Sequence, residues 1–211
     1  MVFDLDGTLV DSVGDLHRAL NLTLAECRCG PLSVQQVRGM VGDGVEQLVS
    51  RAIAATGCGA DPRQALPRYL AHYEADPVAH TRVYPGVQST LETLRRQGIR
   101  LAVLTNKLSR STGLVLGRLD LARYFSRVVS GDSLGFRKPD PRVLLSILEG
   151  FGADPRESLM VGDSEVDANT AHAAGVPFAL MTYGYHRVPL SEIASTVQLQ
   201  DFAALGRFAR E

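Results

Sequence analysis

Val2-Phe3-Asp4-Leu5-Asp6-Gly7 opens the chain with a short apolar run closed by two acids and a turn pair. A nearly continuous apolar run of this length, punctuated by Asp-Gly, reads as a strand covered on both faces. The same form returns four times. Arg100-Leu101-Ala102-Val103-Leu104 ends at Thr105-Asn106, and Arg127-Val128-Val129-Ser130 is a weaker run. Ser158-Leu159-Met160-Val161 ends at Gly162-Asp163, and Pro177-Phe178-Ala179-Leu180-Met181 is the fifth. Helical patterns separate them, at Val87 to Gln97, Ser109 to Leu121, Pro141 to Glu149 and Asp167 to Ala174. In the first, Val87, Leu91 and Leu94 share one face and Gly98 stands where a helix ends. Strands alternating with helices, joined by right-handed crossovers, predict an α/β fold with a doubly wound parallel sheet, a Rossmann-like core.

The stretch from about Ser12 to His80 breaks this rhythm. It holds no convincing strand and reads as helices at Val13 to Glu26, Val34 to Arg38, Val45 to Thr56 and Pro62 to Ala75. Ser33 with Gln36 forms a capping-box pattern, Asp61-Pro62 opens the last helix, and Pro67 predicts a kink in it or two pieces. Asp11-Ser12 is expected to cap the first of these helices. The layout predicts a core of residues 1–12 and 81–211 and a small all-helical domain of residues 13–80, inserted after the first strand and leaving through a linker near 81–86.

Composition excludes several classes. The chain has 211 residues, 45% apolar and 21% charged, which is ordinary for a globular protein. Lys+Arg is 22 against Asp+Glu 23, so no basic field exists to draw nucleic acid or anionic lipid. No apolar run is long enough to span a membrane, and Met1-Val2-Phe3-Asp4 lacks the basic start and apolar stretch of a secretory signal. Cys27, Cys29 and Cys58 make neither an even framework nor a CxxC pair, and are expected as small packing residues in a reducing, cytoplasmic setting. The five histidines show no metal spacing.

Ligands of open parallel sheets bind at the carboxyl ends of the strands. The polar residues expected there are Asp4 and Asp6, Thr105 and Asn106, and Asp163, with Lys138 in the loop after the third strand. Clustered carboxylates repel one another unless a cation lies between them. Mg²⁺ is the natural candidate, being hard, oxygen-seeking and ready to exchange waters for phosphate oxygens. One carboxylate could then attack phosphorus while the other handles protons. Lys138 would neutralise phosphoryl charge, and Thr105 with nearby amides would bind the phosphoryl oxygens.

Asp4-Leu5-Asp6-Gly7-Thr8-Leu9, Thr105-Asn106, Lys138-Pro139 and Gly162-Asp163-Ser164 with Asp167, in this order, closely resemble the four motifs of the haloacid dehalogenase superfamily. The resemblance implies a phosphatase with a helical cap. It makes Asp4 the nucleophile that forms an aspartyl-phosphate and a metal ligand as well. Asp6 would protonate the leaving alkoxide and then activate water, with its backbone carbonyl on Mg²⁺. Thr105 would bind phosphoryl oxygens, Lys138 would steady Asp4 and the phosphoryl charge, and Asp163 and Asp167 would complete the metal site. Family dehalogenases lack an acid at the place of Asp6, because a halide leaves without a proton. Phosphonatases of the superfamily need a cap lysine, and the lysines here are Lys107 and Lys138 alone.

Val41-Gly42-Asp43-Gly44-Val45-Glu46-Gln47-Leu48-Val49 and Thr182-Tyr183-Gly184-Tyr185-His186 look like the phosphoglycolate phosphatase branch. That likeness implies a small phosphorylated metabolite, 2-phosphoglycolate first, hydrolysed by a monomer or homodimer. Gly42 to Gly44 is a flexible loop before a helix start, suited to presenting amides to an anion. Substrate contacts are therefore expected from Gly42, Asp43, Gly44, Thr105 and Asn106, with Arg51 as the cap cation and Arg38 beside it. Pyrophosphatases and sugar phosphomutases of the same superfamily are the alternatives. A receiver-type phospho-aspartate module is the alternative from another class, although receivers carry no helical insert after the first strand.

Overall fold

A computed structural model describes residues 1–208. In chain order its elements begin with β1 (Val2–Phe3), β2 (Val10–Asp11), α1 (Val13–Glu26), α2 (Val34–Arg38), α3 (Val45–Thr56), α4 (Pro62–Ala75) and β3 (Arg82–Val83). There follow α5 (Val87–Arg96), β4 (Ala102–Leu104), α6 (Ser109–Arg118), β5 (Arg127–Val129), α7 (Arg142–Phe151) and β6 (Met160–Gly162). The chain then runs through α8 (Glu165–Ala173), β7 (Phe178–Met181), β8 (Val197–Leu199) and α9 (Leu205–Phe208).

Six strands form one sheet in the order β5-β4-β1-β6-β7-β8, every pair parallel. The doubly wound α/β sheet is thus as expected. Its apolar runs are continuous because successive side chains enter different cores. Val2, Ala102, Leu104, Met160, Phe178 and Leu180 face the layer of α7 and α8, while Phe3, Val103, Val161, Ala179 and Met181 face the other side. That second core runs without a break into Leu16, Leu20, Leu48, Tyr69 and Tyr73 of the helices between β2 and β3. A one-residue register slip in β1 would exchange Val2 and Phe3 between cores, so the register is strongly fixed.

Differences from the sequence reading are local. β8 was not foreseen; it is a three-residue edge strand in which Val197 is half-buried, Gln198 exposed and Leu199 buried, so it shows no apolar run. Residues 81–86 were expected as plain linker, yet Arg82–Val83 pairs antiparallel with Val10–Asp11, tying the two chain crossings together. α4 runs unbroken through Pro67, since Ala65, Tyr69 and Tyr73 hold it by burial against its neighbours despite the missing amide donor. Ser12 makes no side-chain cap to α1; the Tyr185 hydroxyl accepts the Ser12 and Val13 amides at 2.7 and 3.0 Å instead. Cys29 and Cys58 are not packing residues but form a disulfide, because the residues following α1 and α3 come side by side, 5.3 Å apart at Cα. No helix among the described residues is long and apolar enough to cross a membrane.

Candidate active site

β1 lies at the sheet centre, between β4 and β6, and the winding reverses there. Asp4, Thr105 and Asp163 each follow one of these adjacent strands, so three distant segments deliver their polar residues to one rim. Asp4, Asp163 and Asp167 are buried, and one carboxylate oxygen from each lies within 4.8 Å of the others. Lys138 Nζ stands 2.8 Å from Asp4 Oδ1 and 2.6 Å from Asp167 Oδ1.

Each acid is held differently. Asp163 accepts from Thr8 Oγ1 at 2.7 Å and from the Tyr185 amide at 2.5 Å. Gly7, at φ +90°, and Gly184 flank it so closely that a Cβ at either would overlap the carboxylate. Asp167 sits at the third position of α8 and closes a capping box with Ser164. Its Oδ2 accepts from Ser164 Oγ at 2.7 Å and its Oδ1 from Lys138. The role as a helix cap and the role in the cluster therefore use different oxygens of one carboxylate.

Burial pushes Asp4 up to about 7; the Asp167 charge adds to the rise while Lys138 opposes it. Burial, then the Asp167 and Asp4 charges, raise Asp163 well above the usual carboxylate range. Burial disfavours the Lys138 charge, but Asp167 and Asp4 outweigh it and hold the ammonium above its ordinary range. Three buried acids against one lysine leave negative charge uncompensated, which is the condition a bound divalent cation relieves. The donor set is all carboxylate oxygen, fitting a hard ion.

Asp6 adds no side-chain oxygen to this cluster. Its carboxylate turns to Lys107 Nζ, 2.9 and 3.0 Å from its two oxygens, and accepts from Ser12 Oγ at 2.6 Å. Thr105 and Asn106 line the same pocket as Asp4 and Asp6, together with Gly42 and Gly44. The Asn106 amide is committed to the backbone: Nδ2 donates to Gly42 O and Lys138 O, and Oδ1 accepts from Lys138 N, each at 3.0 Å. It therefore seats Lys138 and the Gly42 loop at the edge of the pocket that it lines.

Asp43 and Arg51 differ from expectation. Neither is among the residues lining the pocket. Arg51 is spent on Asp43 and on Met40 O, and Asp43 is also paired with Arg187, which in turn holds Glu165. Arg38 lies over the Tyr185 ring, 5.0 Å from its centre. The pocket cation is Lys107, which the sequence reading entered only in a count of lysines. Its neighbour Tyr185 in function, which ties Asp163 to the start of α1, was likewise missed as an individual residue. The Thr105-Asn106-Lys107 continuity was the available clue to the lysine.

The family model for haloacid dehalogenase-like hydrolases matches residues 1–181. The chain belongs to that family. A phosphoglycolate phosphatase of Rhodospirillum rubrum is 46% identical over 98% of this chain and 88% of its own length. One from Agrobacterium fabrum is 41% identical, over 97% and 89%. A crystal structure from Haemophilus somnus, described as a predicted phosphoglycolate phosphatase, superposes with a TM-score of 0.94 at 31% identity, covering 98% of this chain and 96% of that one. This haloacid dehalogenase-like chain is a phosphoric monoester hydrolase, as its motifs implied.

Proposed function

We propose that this hydrolase converts 2-phosphoglycolate to glycolate and phosphate through an aspartyl-phosphate, with Mg²⁺ bound, in the cytoplasm. The observation carrying it is the rim itself: an acid at the end of the central strand, 2.8 Å from a buried lysine and beside two further acids. The names of the relatives support the substrate.

In this reading an Asp4 carboxylate oxygen attacks phosphorus, and the bond from phosphorus to the ester oxygen breaks. Asp6 gives a proton to the departing alkoxide. Asp6 then takes a proton from water, whose oxygen attacks phosphorus and breaks the bond to Asp4. Thr105 and Lys138 bind the phosphoryl oxygens, and Asn106 keeps Lys138 in place. Asp4, Asp163 and Asp167, with the Asp6 backbone carbonyl, would hold Mg²⁺, which when bound neutralises phosphoryl charge. Residues 13–80 serve as a cap that excludes water from the pocket. Arg137 with Glu46 at 3.1 Å and Arg110 with Glu74 at 2.6 Å form ion pairs between it and the sheet domain.

The test is a panel of 2-phosphoglycolate, glucose 6-phosphate, glucose 1-phosphate and pyrophosphate, each with and without Mg²⁺. The expected result is Mg²⁺-dependent phosphate release, with kcat/KM for 2-phosphoglycolate at least ~10-fold above the rest. Equal values would remove 2-phosphoglycolate as the substrate, and isomerised sugar phosphate without free phosphate would make the enzyme a mutase. Gly184→Ala forms a second prediction. Its methyl displaces Asp163, so kcat/KM should fall by ~100-fold or more, as for a small misplacement of reacting groups, with the fold intact. Wild-type activity in that variant would place Asp163 outside the chemistry.

A further inference from the structure

The pocket over Asp4 and Asp6 holds two polar features that the phosphoryl chemistry does not use. Tyr73 of α4 is 1% exposed and stacks on Tyr69 with ring centres 6.0 Å apart. Its buried hydroxyl meets no hydrogen-bond acceptor among the described residues, and the polar group beside it is the Lys107 ammonium, in a pocket whose lining includes Leu16, Leu48 and Leu70. A buried donor left unmatched is a rare feature that calls for a ligand or another explanation. The second feature is the Lys107 ammonium, 4.6 Å from the centre of the Tyr73 ring, on a side chain only 7% exposed. Two contacts go to the Asp6 oxygens. An ammonium has three donors; the third is within reach of the Tyr73 hydroxyl oxygen, so the phenol proton is the donor left without an acceptor. Among the described residues lining the pocket, Lys107 is the cation.

We propose that Lys107 and the Tyr73 hydroxyl form a subsite for a carboxylate on the leaving group, and that they, in place of Arg51, select short carboxylated phosphate esters. The proposal rests on the phosphatase reading of this site. Connectivity supports the placement. In a phosphorylated 2-hydroxy acid one carbon separates the ester oxygen from the carboxylate, so the group that binds the carboxylate must stand beside the group that protonates that oxygen. Lys107 stands beside Asp6 in that way. A neutral alkyl chain of the same length would leave the phenol proton without an acceptor and give the ammonium no carboxylate, the arrangement by which a site rejects an analogue lacking a polar group.

The experiment compares 2-phosphoglycolate with ethyl phosphate, of equal length but without the carboxylate, in the Mg²⁺-loaded wild type, Tyr73→Phe and Lys107→Met. Wild type should favour 2-phosphoglycolate. Tyr73→Phe, which keeps the ring, should raise KM for 2-phosphoglycolate by ~10-fold with a smaller change in kcat, and lower the ratio of the two kcat/KM values by a similar factor. Lys107→Met should lower that ratio further, together with kcat for both esters, because it also touches Asp6. Glycolate, used as a competitive inhibitor, should bind Tyr73→Phe correspondingly less well. Unchanged ratios in both variants, with the wild-type preference present, would overturn the subsite and leave the phosphoglycolate reading standing. A wild type without preference would overturn both.

Discussion

Asp4→Asn will abolish phosphate release while leaving the protein folded. The change is isosteric and removes the carboxylate proposed to attack phosphorus. Lys138 keeps its 2.6 Å contact with Asp167, so the buried ammonium retains a partner. With the covalent route closed, kcat should fall by at least ~10⁴-fold, in the range seen when a nucleophile is removed. Phosphate release under saturating Mg²⁺ and 2-phosphoglycolate reads the loss, and a melting midpoint near that of wild type shows that folding is not its cause. Substantial metal-dependent turnover in this variant would mean that water attacks phosphorus directly and that Asp4 is only a ligand.

Lys138→Met is expected to be the most damaging change to stability. Lys138 is 4% exposed and its charge is shared by Asp4 and Asp167. Taking it away leaves three buried acids with no cation in the metal-free protein. Breaking a buried pair from one side typically destabilises by ~3–5 kcal/mol, far above the value of the exposed pairs on this surface. Urea unfolding of metal-free wild type and variant measures the difference. Added Mg²⁺ should restore part of it, because a ligand of the folded state alone stabilises by mass action. A loss below ~1 kcal/mol would show that the acids are already compensated by other means.

What could be read from the sequence follows the range of the interactions. β1, β4, β6 and β7 carry their burial in their own residues, alternating between two cores, so their apolar runs were visible without the fold. Asp4, Thr105 and Asp163 were visible because each sits at the end of such a strand, where topology alone brings them together. Lys107 was not visible as a site residue. Its place comes from reaching Asp6, 101 positions earlier, across the end of the sheet. Arg51 misled for the converse reason: nearness in sequence to the Gly42–Gly44 loop made it the expected cap cation, whereas Asp43 and Met40 O take its guanidinium. The disulfide escaped because three cysteines suggest no framework, and only the meeting of residues beyond α1 and α3 selects Cys29 and Cys58. β2 and β3 are two residues each, too short for any periodicity.

Acid-quenching the wild-type enzyme during turnover of ³²P-labelled 2-phosphoglycolate, and locating the label by peptide mapping, is the most direct measurement of the central claim. The label should sit on Asp4 alone, in an acyl-phosphate cleaved by hydroxylamine, and be absent from Asp4→Asn. Label on another residue, or turnover that leaves the protein unlabelled at every quench time, would contradict it.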